Sequence, residues 1–493
     1  MNSPLTALRA SFVPSARLRR GGAAQTKSGG VLSVAGAGSV LELAGVGRGT
    51  EAAVRRLRGV GAPIDALSAI ASEHSGIEGA STWLYVLRAL ERAGLVCYTV
   101  VSDAKALARL VPTSPYYATE IVPVAAHQRL TLSRFAMARR SDIGRGWTLE
   151  SPLALARIEL LHPNAMAWLG ALGAPVTLAA LVRDTPRRDR AAQQAFVALL
   201  SSAGFLTRAG GAERHEEDRA AHLAPWEFAD ALMHARSRRG RHDHPYGRVF
   251  PFRGRLRPLP RTKPPMSADV TLLARPNLTE LRRRDLSFSR VLESRRSVRA
   301  HGSQPINVRQ LGEFLYRAAR VQTKLQPKPP IRPYDASLRP SPSGGACHEL
   351  ELYVVVNRCS GLARGVYHYE PLRHALGRLD AGLDALDALL RDCPAPANAP
   401  APWHLLIVIT ARFGRVNWKY RGMSYATVLK DVGALMQTMY LVATAMGLAP
   451  CALGGGDSER FARTIGTNYF EESSVGEFLI GTCARIRTAR RRT

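Results

Sequence analysis

The chain is poor in cysteine: 493 residues carry six, at 97, 347, 359, 393, 451 and 483, with no C-x-x-C spacing among them. That pattern offers neither a zinc ribbon nor a disulfide framework, and it places the protein in a reducing compartment, so a cytoplasmic location is expected. No apolar run is long enough to span a bilayer, and no apolar segment of secretion-signal type opens the chain. Acidic residues are also scarce. Thirty-nine Asp and Glu stand against 68 Lys and Arg, a net charge of +29. Residues 1–41 have no acid at all and are rich in Arg, Ser, Ala and Gly, which predicts a disordered basic leader over 1–40, with the composition of a transit peptide or an over-extended start. Such an excess of positive charge attracts nucleic acid, anionic lipid, phosphate cofactors and acidic peptides without choosing among them. The rest is ordinary globular composition, 46% hydrophobic and 22% charged, at a length that fits two or three domains.

A repeat runs through the N-terminal half. "LRGVGAPIDALSAI" (57–70) precedes "WLYVLRALERAGLVCY" (83–98), and "LGALGAPVTLAALV" (169–182) precedes "AFVALLSSAGFLTR" (195–208). Each copy reads as a helix, a Gly-Ala-Pro turn, a short helix, then an amphipathic helix ended by Ala-Gly and an apolar pair. Gly94 and Gly204 suit the left-handed position after a helix, and the apolar pair starts a strand. Helix, helix, helix, strand is winged-helix order, so winged-helix-like units are predicted over 41–150 and 151–210. The last helix of the second copy, "AAQQAFVALLSSAG", has no Lys or Arg to meet phosphates, which argues against sequence-specific nucleic acid and for peptide or protein docking. Residues 211–275 read as a Pro- and Arg-rich linker. It contains His242-x-His244, but no third ligand stands at metal-binding spacing, and no metal is predicted.

The texture changes at 276. Asn307 and Gln310 have capping-box spacing, and Leu311, Phe314, Leu315 and Ala318 then share one helical face. "LELYVVV" (350–356), "WHLLIVIT" (403–410) and "EFLIGTC" (477–483) read as strands, the first two central. Over 424–447 an apolar stripe runs from Val428 to Met446 and stops at Gly447, which predicts one long helix. The fold class is α+β: long helices on a small mixed central sheet.

Three stretches of this half suit a phosphate-bearing cofactor. "SRRSVR" (294–299) offers three guanidinium forks among hydroxyls. "RPSPSGGACHELELYVVV" (339–356) places Pro342, Ser343, Gly344 and Gly345 in a tight turn before a buried strand, where glycine lets backbone N–H groups approach a flat ring closely. "GLAPCALGGGDSERF" (447–461) brings successive glycines, among them Gly454 and Gly455, after an apolar run. In this order and spacing, with "RGVYHYEP" (364–371), "WKY" (418–420) and "MGLAPCALGG", residues 276–483 resemble the FMN-binding nitroreductase fold. More narrowly they resemble the SagB-type thiazole/oxazole dehydrogenases that modify ribosomal peptides, as does "WEFADALMHARSRRGRHDHP" (226–245) upstream.

The resemblance implies a dehydrogenase domain over 276–493 that binds FMN and is reoxidised by oxygen. Arg295, Arg296, Ser297 and Arg299 would surround the phosphate and ribityl chain. The 343–345 loop would line the flavin of a neighbouring subunit in a homodimer, Gly454 and Gly455 would stand near the isoalloxazine, and the catalytic Lys-Tyr motif falls on Lys419 and Tyr420. The substrate would be an azoline-bearing precursor peptide, with a cyclodehydratase as partner. Aromatising an azoline removes a proton from one ring carbon and a hydride from its neighbour, so a base must stand beside the flavin. Ionising a tyrosine at neutral pH costs about 4 kcal/mol. A lysine ammonium ~4 Å away, at an effective dielectric of ~20, returns about the same. Adjacent residues on a regular element diverge, however, so the sequence leaves open which of the two is the base. Two other readings remain at this point: an NAD(P)H-dependent reductase of small molecules, and a non-catalytic scaffold of a peptide-modifying complex.

Overall fold

The computed structural model describes residues 15–484 apart from 20–21, 28–30, 37–38, 59–60, 119–120, 122, 142–145, 210–214 and 393–402. It divides into two units, Met1–His244 and Pro245–Thr493.

In the first unit the second copy of the repeat folds as its sequence predicts, while the first copy runs its short and amphipathic helices together. Helix Arg48–Leu57 leads through Gly61, Ala62 and Pro63 into Ile64–Arg92, which turns at Gly76 (φ +54°) and ends at Gly94 (φ +66°). Helices Pro163–Ala171, Leu178–Arg183 and Arg190–Ser202 repeat the order, and Gly204 (φ +78°) closes it. The helix Arg190–Ser202 has its one basic residue, Arg190, at its first position; from Ala191 on it buries Ala192, Gln193 and everything from Ala195 to Leu200, so that uncharged stretch is the sequence of a core helix.

The two copies interleave rather than separating at 150/151. Arg129–Leu132 is the middle strand of the second copy's small sheet, between Val176–Thr177 and Leu206–Arg208. Ala156–Leu160 returns to pair with Lys105–Pro112 in the seven-stranded sheet of the first.

Two expectations need correction in this unit. Residues 1–14 lie outside the described residues, but Ser15–Leu18, Ala23–Lys27, Val31–Gly36 and Ser39–Leu43 are strands, not a disordered leader. Their short alternating runs bury Ala16, Leu18, Leu32 and Val34, which a count of charge and glycine does not register. Nor is 211–275 one linker. Helices Glu216–Arg219 and Phe228–Arg236 belong to the first unit, where Glu150 binds Arg236 at 2.8 Å and His244 at 2.9 Å, while the stretch from 245 belongs to the second.

The second unit is built on a seven-stranded sheet in the order Val270–Leu272, Ala375–Leu379, Gly365–Glu370, Leu350–Val356, Leu405–Arg412, Glu472–Thr482, Leu448–Leu453. Every pairing in it is antiparallel, where a mixed sheet was expected. Unbroken apolar strands suggest parallel neighbours because parallel sheets are covered on both faces. Here Leu350–Val356 and Leu405–Arg412 are buried along their whole length within an antiparallel sheet, and continuous hydrophobicity reports that double covering rather than strand direction. Helix Val308–Ala319 starts at the capping box of Asn307 and Gln310 and sinks Leu311, Phe314, Leu315 and Ala318 into the core. Helix Ser424–Ala445 lays Val428, Val432, Leu435 and Met439 on the same core and stops before Gly447 (φ +66°).

Candidate active site

The Lys–Tyr pair lies just beyond the strand Leu405–Arg412. A short helix, Phe413–Asn417, follows that strand, and Trp418 and Lys419 then turn the chain into the two-residue strand Tyr420–Arg421. The turn is irregular, so the two side chains do not diverge. A Cβ built on Gly345 would lie 1.6 Å from Lys419 Nζ and 2.8 Å from Tyr420 OH. Both polar ends therefore meet over Gly345, which has to be glycine for that reason and for its φ of +65°.

Lys419 is 4% exposed. Its Nζ donates to Tyr334 OH at 2.6 Å and to the Gly345 carbonyl at 3.2 Å, and Tyr334 OH donates to that same carbonyl at 2.8 Å. Phe250, Tyr334 and Trp418 form an aromatic wall beside the amine, with centroids 5.6 to 6.5 Å apart. Burial holds the Lys419 ammonium below its ordinary value; the Cys347 thiol opposes this, and Arg248, Arg415 and Arg332 add to it. Burial pushes Tyr420 up to about 12. The lysine therefore does not ionise the tyrosine. Tyr420 is a neutral phenol near pH 7, and the amine is the group displaced toward its basic form.

Sequence reasoning missed the residues that hold this turn. Arg415, 4% exposed, donates to the carbonyls of Cys347 (2.8 and 3.0 Å), Leu259 and Asp335 (3.1 Å) and pairs with the Asp335 carboxylate at 3.3 Å. It ties three segments together behind the pair. The stretch read as linker acts as a strap: Gly247–Arg248 pairs with Tyr420–Arg421, the N–H groups of Val249 and Phe250 both donate to the Lys419 carbonyl, and Trp418 Nε1 donates to Leu256 O at 2.8 Å. Tyr334 sits in the proline-rich "PIRPYDAS", where no periodicity marks it.

The 342–345 turn closes the same cluster from the other side. Gly344 N–H donates to both Asp431 carboxylate oxygens, at 2.8 and 3.1 Å. After Pro342, Ser343 Oγ donates to Glu349 at 3.2 Å and accepts from His348 N–H at 2.9 Å. Burial, and then the neighbouring Asp431 carboxylate, pushes Glu349 up to about 8. Gly344 and Gly345 thus have reasons within the chain, which an ordinary flexible turn would not need.

A second cluster forms at the far end of helix Ser424–Ala445. Val298 N–H donates to Pro450 O at 2.7 Å, which lays the arginine segment along the strand leading to Gly454. Ser297 Oγ and Tyr440 OH are 2.8 Å apart, the Arg295 guanidinium lies 5.2 Å over the Tyr440 ring, and Arg299 is close enough to act on the Cys451 thiol. Arg296 turns away and donates to the carbonyls of Glu293 and Arg295, both at 2.8 Å.

Neither Arg295 nor Arg299 meets a carboxylate among the described residues. Gly454 and Gly455 are exposed, have ordinary φ, and a Cβ on either would meet nothing within 4 Å; at Gly456 it would strike the Glu477 carboxylate. Nothing within the chain requires glycine at 454 or 455. Two unpaired guanidinium groups, a hydroxyl and bare backbone beside open space fit a flat, phosphate-bearing group. The two clusters remain apart: Thr427 and Tyr440 are roughly 20 Å apart along the helix at ~1.5 Å per residue.

The model of the nitroreductase family matches residues 292–482. A Methanocaldococcus jannaschii protein named as a nitroreductase is 30% identical over 189 residues, which is 38% of this chain and 85% of that protein. The chain belongs to the nitroreductase family. It is an oxidoreductase of that flavin-using family, and the models of cyanobactin oxidase ThcOx (130–243) and of the ThcOx helix-turn-helix domain (31–121) place it on the SagB-type branch that its motifs resemble. The trifolitoxin-processing protein TfxB of Rhizobium leguminosarum is 34% identical over 110 residues, 22% of this chain and 30% of that protein. Among solved structures, one named as a nitroreductase from Ralstonia eutropha is 23% identical with a TM-score of 0.35, covering 49% of this chain and 99% of its own. The E. coli microcin synthetase McbBCD complex with truncated pro-MccB17 is 20% identical at 0.32, covering 48% and 88%. No helix of the described residues in this family member is long and apolar enough to cross a membrane.

Proposed function

We propose that this nitroreductase-family protein is an FMN-dependent azoline dehydrogenase, converting thiazoline or oxazoline rings of a ribosomally made peptide into thiazoles or oxazoles. The observation that carries the reading is the meeting of Lys419 Nζ and Tyr420 OH over Gly345, behind an aromatic wall and with the amine held toward neutrality. FMN, when bound, accepts the hydride. Arg295 and Arg299 hold its phosphate, Ser297 its ribityl chain, and Gly454 and Gly455 leave room for its ring.

Lys419 takes the ring proton as a neutral amine, its two remaining N–H groups held by Tyr334 OH and Gly345 O. Tyr420 donates its phenol hydrogen bond to the ring and fixes its orientation. Because the turn and the arginine cluster stand apart in one chain, a second copy completes the site, each chain offering its 343–345 turn, Lys419 and Tyr420 to the flavin of the other. The N-terminal unit docks the precursor peptide or a cyclodehydratase, by strand addition to the small sheet whose outer strands are Val176–Thr177 and Leu206–Arg208.

Mass spectrometry of an azoline-bearing peptide incubated with the flavin-loaded protein in air tests this. A loss of about 2 Da per ring, two hydrogens, is expected. An unchanged peptide mass with fully loaded protein would refute the assignment.

A further inference from the structure

Four of the arginines around the Lys–Tyr turn, unlike Arg415, are paired with no carboxylate among the described residues. From Pro245 to Ala268, and again from Phe314 to Tyr334, the chain has no Asp or Glu, and these two acid-free segments converge on the turn. Arg248 pairs in register with Tyr420, and its guanidinium reaches the Ile331 carbonyl at 3.4 Å, next to Arg332. Arg255 and Arg421 flank one ring, at 6.0 and 5.9 Å from the Phe252 centroid. Arg248, Arg255 and Arg421 are exposed and Arg332 half-buried. Arg332 donates to Gln326 O at 2.7 Å, and none of the four meets a carboxylate among the described residues. The nearby Asp335 is already held by Arg261 and Arg415. Like charges gathered without counter-charge repel one another, and the arrangement lasts only where an anionic partner or solvent relieves it.

We propose that Arg248, Arg255, Arg332 and Arg421 form a docking rim for an acidic segment of the peptide substrate, flanking the ring presented to Lys419 and Tyr420. The claim rests on the peptide-oxidase reading above and adds to it a substrate class: peptides with Asp or Glu close to the azoline. Guanidinium forks suit carboxylates, and four of them spread over the strap (Arg248, Arg255), the strand paired with it (Arg421) and the neighbouring segment at Ile331 (Arg332) match an extended acidic peptide better than a single buried anion.

The test is fluorescence anisotropy with the full-length, flavin-loaded protein and a labelled extended peptide containing six glutamates, set against its glutamine counterpart at about 150 mM salt. The glutamate peptide should bind at least about tenfold more tightly, and Arg248→Gln/Arg421→Gln should remove about tenfold or more of that affinity. The double variant Arg282→Gln/Arg283→Gln, which loses the same charge from the exposed face of helix Leu278–Arg284, should lose less than about twofold. On an azoline peptide with flanking glutamates, Arg255→Gln/Arg421→Gln, which spares the Arg248 charge acting on Lys419, should raise KM and leave kcat unchanged.

Equal losses in both double variants would mean that only bulk charge acts, and the rim would be rejected. Equal binding of the glutamine peptide would reject it as well. Tighter, Arg248-dependent binding of a single-stranded oligonucleotide would make phosphate the partner and overturn the proposal. If instead no azoline peptide is oxidised while the glutamate preference persists, the oxidase reading fails and the rim stands.

Discussion

Lys419 and Tyr420 can be read from a motif, but their division of labour cannot. A strand or helix would have sent them apart, and only the irregular turn after Phe413–Asn417, with a bare Gly345 beneath it, brings Nζ and OH together. The electrostatics also reverse the sequence arithmetic, because the same burial that lowers the lysine raises the tyrosine. Tyr420→Phe should stay folded and yellow while ring oxidation falls about 10²–10⁴-fold, and Lys419→Ala should do the same, with the double variant little worse than either. Near wild-type oxidation in both single variants would remove the pair from the chemistry. Tyr334→Phe separates positioning from packing. It keeps the aromatic wall but takes from the ammonium its 2.6 Å acceptor, so the charged form loses support and the Lys419 pKa falls further. The acid limb of the rate profile should move to lower pH as turnover drops; a lower rate with an unmoved limb would give Tyr334 a packing role only.

At the scale of elements, helix Ser424–Ala445 carries one cluster at each end, and the two glycine motifs beside it differ in kind. Gly344 and Gly345 answer to neighbours in the chain, whereas Gly454 and Gly455 answer to none. Gly345→Ala should therefore disturb the turn and Lys419 even without flavin. Gly454→Ala should leave the melting temperature of flavin-free protein unchanged and lower flavin content; full occupancy in Gly454→Ala would move the ring elsewhere.

Glu349 beneath the first turn gives a pH signature. Its folded pKa is raised to about 8, so the folded state holds a proton that the unfolded state releases from about pH 4.5. That contribution to stability is complete at low pH and is lost as pH rises through about 8. Glu349→Gln should flatten this part of the stability curve, and an unchanged slope would place the proton on another group. The elements themselves were largely legible: the capping box at Asn307, the stripe from Val428 to Met446 and the Gly94 and Gly204 stops are local signals, and local signals survive folding. What escaped was long-range. The strap from Gly247 to Pro260 has linker composition yet donates and accepts across the sheet, and Arg415, Tyr334 and Asp431 acquire their roles only from partners distant in sequence.

For the whole molecule, the proposed function makes assembly part of the chemistry, because the two clusters stand apart in one chain. Mixing Arg295→Ala/Arg299→Ala chains with Lys419→Ala chains, each inactive alone, should restore about a quarter of wild-type turnover, since half of the randomly formed dimers are mixed and each mixed dimer has one intact site. No recovery in verified mixed dimers would place the flavin and Lys419 of one site in the same chain. The central claim, that an azoline peptide rather than a nicotinamide delivers the electrons, is tested most directly under nitrogen. Flavin-loaded protein is mixed with azoline peptide or with NADPH while the flavin absorbance is followed. The account predicts bleaching by the peptide, matched ring for flavin by the appearance of azole, a rate at least about 10²-fold lower in Tyr420→Phe, and no comparable bleaching by NADPH. Rapid bleaching by NADPH with none by the peptide would contradict it and make the protein a small-molecule reductase.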